Sequence, residues 1–326
     1  MGYNFLIEFF CSGGKKMFIV DSHCDSIQKV DDCKFGIVNP HNYSTKHQQI
    51  QFVAMMTGWP GDTVEAAWRR ACRYTGLFCM SMASEQDKVI QIKTYADIER
   101  AFAEGKHGAL LTIESATGLK SSTKLLRDFY NVGVRVVGLT WLTNDMGKSN
   151  RVVETDEEDT GLTDAGREMV AAGNELGIIW DVSHLSDASF WQIAELTKKP
   201  LIATHSNFRS LCSHSRNLTD DMAKEIIRQG GMIGLNLLPG FISDDPEKRT
   251  IANYFKHMEH CLELGGENNI GFGGDIDGTS GRYPAGLDES CSIHDRLIDF
   301  MQQHYSETLV EKFVGGNYLA YLKKYL

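Results

Sequence analysis

Apolar residues fall into short runs rich in β-branched side chains, and these alternate with longer stretches in which apolar positions recur at helical spacing. The short runs predict strands over residues 18–23, 50–55, 108–114, 134–141, 178–184, 201–205, 232–236 and 270–275. The stretches between them predict helices over 95–103, 122–131, 163–176, 187–197 and 220–229, with an amphipathic closing helix over 318–326. Strand and helix in alternation build a parallel sheet covered by helices, because a parallel crossover must span the sheet's length and a helix does so compactly. About eight such units in 326 residues match a (β/α)8 TIM-type barrel with insertions. A doubly wound open sheet is the competing architecture.

With 6 prolines and neither a low-complexity linker nor a charge run, the chain reads as one domain over residues 17–326. Residues 1–16 read as an N-terminal extension that contributes little to the fold. Their apolar stretch contains Glu8, and Lys15 and Lys16 follow it rather than precede it, the reverse of a secretory signal. No apolar run approaches the roughly 20 residues of a spanning helix, so no membrane partner is expected. Lys and Arg total 33 against 43 Asp and Glu, a formal charge of -10. That balance argues against nucleic acid, whose binding relies on clustered cations. The 8 cysteines include no C-x-x-C pair, so neither a disulfide framework nor a zinc ribbon is indicated, and a reducing, cytoplasmic setting is expected.

Candidate chemistry lies where polar residues interrupt the apolar strands. Strand one ends in Asp21-Ser22-His23-Cys24-Asp25, strand three in Glu114, strand five in Asp181-Val182-Ser183-His184, strand six in Thr204-His205 and strand eight in Asp275. In a barrel those C-terminal ends converge on one mouth. His23 and Asp25 are two apart, so an extended strand turns both to one face and Cys24 away, toward packing. Histidines and carboxylates gathered there are costly to desolvate unless a cation compensates them, and imidazole with carboxylate suits zinc or its first-row neighbours. Glu114 can bridge two ions: His23, Asp25 and Glu114 are assigned to one, and Glu114, His184 and His205 to the other.

Taken singly, each residue has a plainer reading. A histidine at a strand end is usually hydrogen-bonded and structural, Asp21 and Asp181 can serve loop backbone, and Asp277 before Gly278 can form a turn. The joint pattern carries the metal reading. His257 and His260 share a helix face without a carboxylate pattern and read as surface residues. The glycines of residues 271–275 lack a full dinucleotide fingerprint, and no G-x-S-x-G nucleophile elbow is present.

These residues, together with segments 20–25, 133–140, 161–166, 176–184, 204–206, 216–217, 271–278 and 315–317, resemble the renal (membrane) dipeptidase family of zinc metallopeptidases, in its bacterial-type form. The similarity runs from about Phe18 to the end of the chain. It implies two zinc ions on His23, Asp25, Glu114, His184 and His205, catalytic Asp275 beside a bridging water, and Arg216 holding the substrate's C-terminal carboxylate. Trp141 stands where better-known members carry a histidine, and it is grouped with Asn144 and Arg216 at the substrate. The expected activity is a metallo-dipeptidase cutting the peptide bond of a dipeptide by a metal-bridged hydroxide. The configuration of the C-terminal residue and association into a homodimer are left open. The alternatives are an amidohydrolase-type reaction on a cyclic amide, lactone or phosphoester, and a metal-binding pseudoenzyme.

Overall fold

The computed structural model describes residues 17–32, 36–39, 41–154, 158–287 and 292–326, so the expectation for residues 1–16 lies outside the described residues. The strands are β1 (Phe18–Cys24), β2 (Gln48–Met55), β3 (Val89–Ile92), β4 (His107–Ile113), β5 (Val136–Gly138), β6 (Ile179–Asp181), β7 (Ile202–Ala203), β8 (Met232–Leu235) and β9 (Ile270–Phe272). The helices are α1 (Ser26–Asp31), α2 (Val64–Ser84), α3 (Tyr95–Ala103), α4 (Thr123–Val132), α5 (Asp164–Leu176), α6 (Asp187–Leu196), α7 (Asp220–Gln229), α8 (Pro239–Ile242), α9 (Ile251–Glu263), α10 (Ile293–His304), α11 (Glu307–Glu311) and α12 (Asn317–Tyr325). Hydroxyls placed just before a helix set several starts. Thr163, Ser186 and Thr219 each accept an N–H of the first turn of α5, α6 and α7.

All ladders are parallel, and β1 pairs with both β2 and β9. The order continues from β2 through β4, β5, β6, β7 and β8 to β9, which closes an eight-stranded (β/α)8 barrel and excludes the open sheet. The unpredicted β3 is additional to this ring, pairing with the first half of β4. Alternation sorts the side chains. Val20, Phe52, Leu110, Val136, Ile179, Ile202 and Met232 form one cluster with Tyr318, Leu319, Tyr321 and Leu322 of α12. Their neighbours Ile19, Val53, Leu111, Val137, Trp180, Ala203 and Ile233 pack with the surrounding helices. The closing helix thus plugs the N-terminal end of the barrel, where Tyr321 Oη donates to Pro200 O at 2.7 Å. Gly271 makes room for it: a Cβ there would lie 2.8 Å from the Tyr318 ring.

Several strands stop short of the predicted lengths. Residues 134–141, 178–184 and 201–205 keep ladder geometry only over β5, β6 and β7. Side chains take over the freed backbone groups, as Asp181 Oδ1 accepts both Ser183 N–H at 3.0 Å and Thr204 N–H at 2.9 Å. Glu114, His184, His205 and Asp275 therefore sit on turns just beyond the strand ends.

Candidate metal centre at the barrel mouth

The β1–β2 register slips between Asp21 and Cys24, whose partners Gln51 and Val53 are one residue closer together. That extra residue is a bulge, which lets two consecutive side chains face the same way. Ser22 Oγ donates to Thr204 O at 2.6 Å, and His23 Nδ1 lies 3.3 Å from Thr204 Oγ1. Cys24 is turned into the core, as expected. Asp25 has left the strand and sits at the N-cap of α1 with φ -89° and ψ 26°. The expectation that His23 and Asp25 share the face of an extended strand is therefore corrected: bulge and helix start, not pleat, bring His23 Nε2 to 3.7 Å from Asp25 Oδ2.

One oxygen of Glu114 faces three imidazoles. Oε1 lies 3.0 Å from His184 Nε2, 3.6 Å from His205 Nε2 and 3.7 Å from His23 Nε2. His184 Nε2 and His205 Nε2 are 3.0 Å apart, and the His23 and His205 rings lie tilted by 33° with centroids 3.7 Å apart. All four side chains are buried, yet His23 Nε2 has no hydrogen-bond partner. A buried polar atom left unpaired costs free energy, and a cation among these atoms would satisfy it. The spacing suits one, because donors on a tetrahedral ion with bonds of about 2.0–2.1 Å are about 3.3 Å apart.

The electrostatics point the same way. Burial opposes charge on the His23 imidazole, but the Glu114, Asp25 and Asp275 carboxylates carry it up to about 10. Burial pushes the Glu114 carboxyl well above the carboxylate range, with the Asp25 charge adding and His23 opposing. Burial, joined by the charges of Arg216 and His23, pushes His184 and His205 well below the usual imidazole value. Without a cation, protons are drawn to one side of the cluster while two imidazoles keep their lone pairs.

Asp275 belongs to the same group, with one oxygen within 4.8 Å of the nearest ligand atoms of His23 and Asp25. It adopts a left-handed backbone at φ 53°. Its N–H donates to His23 O at 3.1 Å, and its Oδ2 accepts from Asn236 Nδ2 at 3.0 Å. Gly278 lets Asp25 and Asp275 converge: a Cβ there would lie 2.1 Å from Asp25 Oδ2 and 2.2 Å from Asp275 Oδ1. Burial pushes the Asp275 carboxyl up to about 7, with His23 opposing and Asp25 adding.

Arg216 is buried beneath the cluster. It donates through Nη1 to Ser183 O and, at 3.4 Å, to Ser206 Oγ, and through Nη2 to His205 O at 3.0 Å. Guanidinium has five N–H donors, so two remain for a further acceptor. Trp141 is half-buried at the rim, its ring 5.9 Å from those of His184 and Trp59. Asn144 is engaged otherwise: Nδ2 donates to Thr117 Oγ1 at 3.1 Å and Leu139 O at 2.9 Å, and Oδ1 accepts Met146 N–H at 2.9 Å. It shapes the loop after β5 and is not brought to the ligand cluster.

His257 corrects the surface reading. It is fully buried, its Nδ1 accepting Phe208 N–H at 3.2 Å and its Nε2 donating to Ile242 O at 2.9 Å. His260 is half-buried, with Nε2 2.9 Å from Asp220 Oδ1. Sequence reasoning also missed Asn236 and the contact of His41 Nε2 with Asp277 Oδ1 at 2.7 Å. The Asp275–Gly278 turn was the available signal for Asp277, while nothing local marks Asn236 or His41.

Comparison with known proteins identifies the family and the fold. The sequence profile of the membrane dipeptidase family (peptidase family M19) matches residues 14–325. An uncharacterized protein in the pqqA 5' region of Klebsiella pneumoniae is 30% identical over 271 residues, covering 81% of this chain and 97% of that one. A metallo peptidase from Rhodobacter sphaeroides, liganded with a phosphinate mimic of the dipeptide L-Ala-D-Ala, has a TM-score of 0.83 at 24% identity and covers 96% of this chain and 100% of its own. Dipeptidase AC, a metallo peptidase of family M19, has a TM-score of 0.83 at 25% identity over 95% of this chain and 99% of its own. With that match over nearly the whole sequence, the chain belongs to the membrane dipeptidase family and is a metal-dependent hydrolase of peptide bonds.

Proposed function

We propose that this protein is a zinc-dependent dipeptidase with two ions per chain, held by His23, Asp25, Glu114, His184 and His205, and that it accepts a D residue at the C-terminal position of its substrate. The observation that carries the metal reading is the single Glu114 oxygen facing three imidazole nitrogens in a buried pocket. The D residue is supported by the L-Ala-D-Ala mimic on the similarly folded Rhodobacter sphaeroides peptidase. Five free cysteines among the described residues, Cys24, Cys72, Cys79, Cys212 and Cys261, support a cytoplasmic location.

Bound divalent zinc supplies a water that ionises near neutral pH and an electrophile that polarises the amide carbonyl. The chain supplies the rest. With Oδ2 held by Asn236, Asp275 keeps Oδ1 to take a proton from the attacking water and return it to the departing amine. The two uncommitted donors of Arg216 suit the substrate's carboxylate, which limits the cut to one residue from that end. The Trp141 ring walls the rim beside His184 and keeps bulk water from the reacting bond.

The test is a panel of L,L and L,D dipeptides offered to chelated and zinc-reloaded protein. Hydrolysis that vanishes on chelation and returns with zinc is expected, with L,D members among the substrates. Zinc-loaded protein that cuts none of the panel overturns the reading.

A further inference from the structure

Behind the ligand cluster, one hydroxyl touches two of its imidazoles. Thr204 Oγ1 lies 2.8 Å from His205 Nδ1, 3.3 Å from His23 Nδ1 and 2.7 Å from Asp181 Oδ2. All four residues are buried. Asp181 fixes the Thr204 backbone as well, since Oδ1 accepts Thr204 N–H at 2.9 Å together with Ser183 N–H and Ser183 Oγ–H at 3.0 and 2.6 Å.

The direction of each hydrogen bond follows by elimination. Asp181 is an acceptor at every one of these contacts, so the single Thr204 proton points to Asp181 Oδ2. The Ser183 proton is committed to Asp181 Oδ1 and does not compete for Thr204. The hydroxyl then has only lone pairs for the imidazoles, and both must present Nδ1–H to it. With Nδ1 protonated, the Nε2 atoms of His23 and His205 are the ones turned to Glu114, and they carry the metal-binding lone pairs.

We propose that Thr204, oriented by Asp181, is a positioning residue that sets tautomer and ring orientation at once in two metal-binding histidines, one on β1 and one just beyond β7. This rests on the metal reading above. It gives a function to the Asp181 carboxylate, which otherwise serves only loop backbone and hydroxyls. It also accounts for a hydroxyl-bearing residue directly before His205, because valine, of the same shape, lacks the hydroxyl.

The test is the zinc dissociation constant, measured by competition with a chelating dye, for wild type, Thr204→Val, Thr204→Ser, Asp181→Asn and the double variant Asp181→Asn/Thr204→Val. Loss of an outer partner of a metal-bound histidine weakens metal binding by about 10–100-fold, and that loss is expected for Thr204→Val, with Thr204→Ser near wild type. Asp181→Asn is expected to weaken binding too, but to add nothing once Thr204 is Val, because it acts through the hydroxyl. Thr204→Val with wild-type affinity, or losses that add in the double variant, overturns the relay. If Thr204→Val yields no folded protein, Asp181→Asn against Thr204→Ser decides: Asp181→Asn at wild-type affinity overturns it. Wild-type protein that takes up no zinc instead overturns the metal reading on which the relay stands.

Discussion

His294 Nε2 lies 2.7 Å from Asp21 Oδ2, with both side chains buried in the barrel wall. The other Asp21 oxygen accepts the N–H of His23 and of Gly274, each at 3.0 Å. One carboxylate therefore ties the β1 bulge that presents His23 to the turn that presents Asp275. Removing it leaves a buried imidazole and two backbone donors unsatisfied. Asp21→Ala is expected to lower the unfolding free energy by about 3–5 kcal/mol, measured by urea denaturation. A loss below about 1 kcal/mol, the net worth of an ordinary hydrogen bond, would show that the pair holds nothing together.

Asp275→Asn keeps the side chain's shape and its Asn236 neighbour but removes the proton acceptor. Its kcat is expected to fall by about 10²–10⁴-fold, with KM and the melting temperature near wild type. Steady-state kinetics on the best dipeptide of the panel decide this. Activity within a few-fold of wild type would take the proton-transfer role from Asp275.

Arg216 braces Ser183 O and His205 O, and the proposed function adds the substrate's carboxylate to its partners. A lysine keeps the charge but cannot bridge both carbonyls and still donate in parallel to a carboxylate. Arg216→Lys is expected to lower kcat/KM by about 10–100-fold, corresponding to about 1.5–3 kcal/mol for a charged hydrogen bond. A peptide amide in place of the C-terminal carboxylate should show little further loss in this variant. A full additional loss on that substrate would place carboxylate recognition elsewhere.

The barrel and its mouth were legible in the sequence because five of the eight ring strands, β1, β4, β6, β7 and β9, are apolar runs that lead into an ionisable residue. Val89–Ile92 was not, since four residues attached beside the ring leave no period to read. The β1 bulge was invisible too: nothing within residues 20–25 marks an extra residue, and the slip exists only relative to Gln51 and Val53. His257 was misplaced for a similar reason. Its partners Phe208 and Ile242 are 49 and 15 residues away, and only the packed α9 brings them to its two ring nitrogens. Asn144, a polar residue near the mouth, commits its groups to Thr117 Oγ1, Leu139 O and Met146 N–H, contacts that its place in the sequence does not announce.

His257 supplies a pH prediction. Burial pushes its imidazole down from 6.5 to about 4, against the Ile242 carbonyl, which favours the protonated ring. Below pH 6.5 the unfolded chain takes up a proton that the folded protein refuses until about 4. The contribution is thus complete above the unfolded value and is lost as pH falls through that window, by about 3 kcal/mol in all. Urea unfolding at pH 7 and pH 4.5 should show a steeper loss for wild type than for His257→Gln. Equal slopes would mean that the buried ring takes up its proton without cost.

Anomalous diffraction at the zinc edge from crystals of zinc-loaded protein examines the site without reference to turnover. Two peaks are expected, both in contact with Glu114, one beside His23 and Asp25 and the other beside His184 and His205, with bonds of about 2.0–2.2 Å. An occupied zinc position elsewhere, with no peak against Glu114, would contradict the assignment of this cluster as the metal centre.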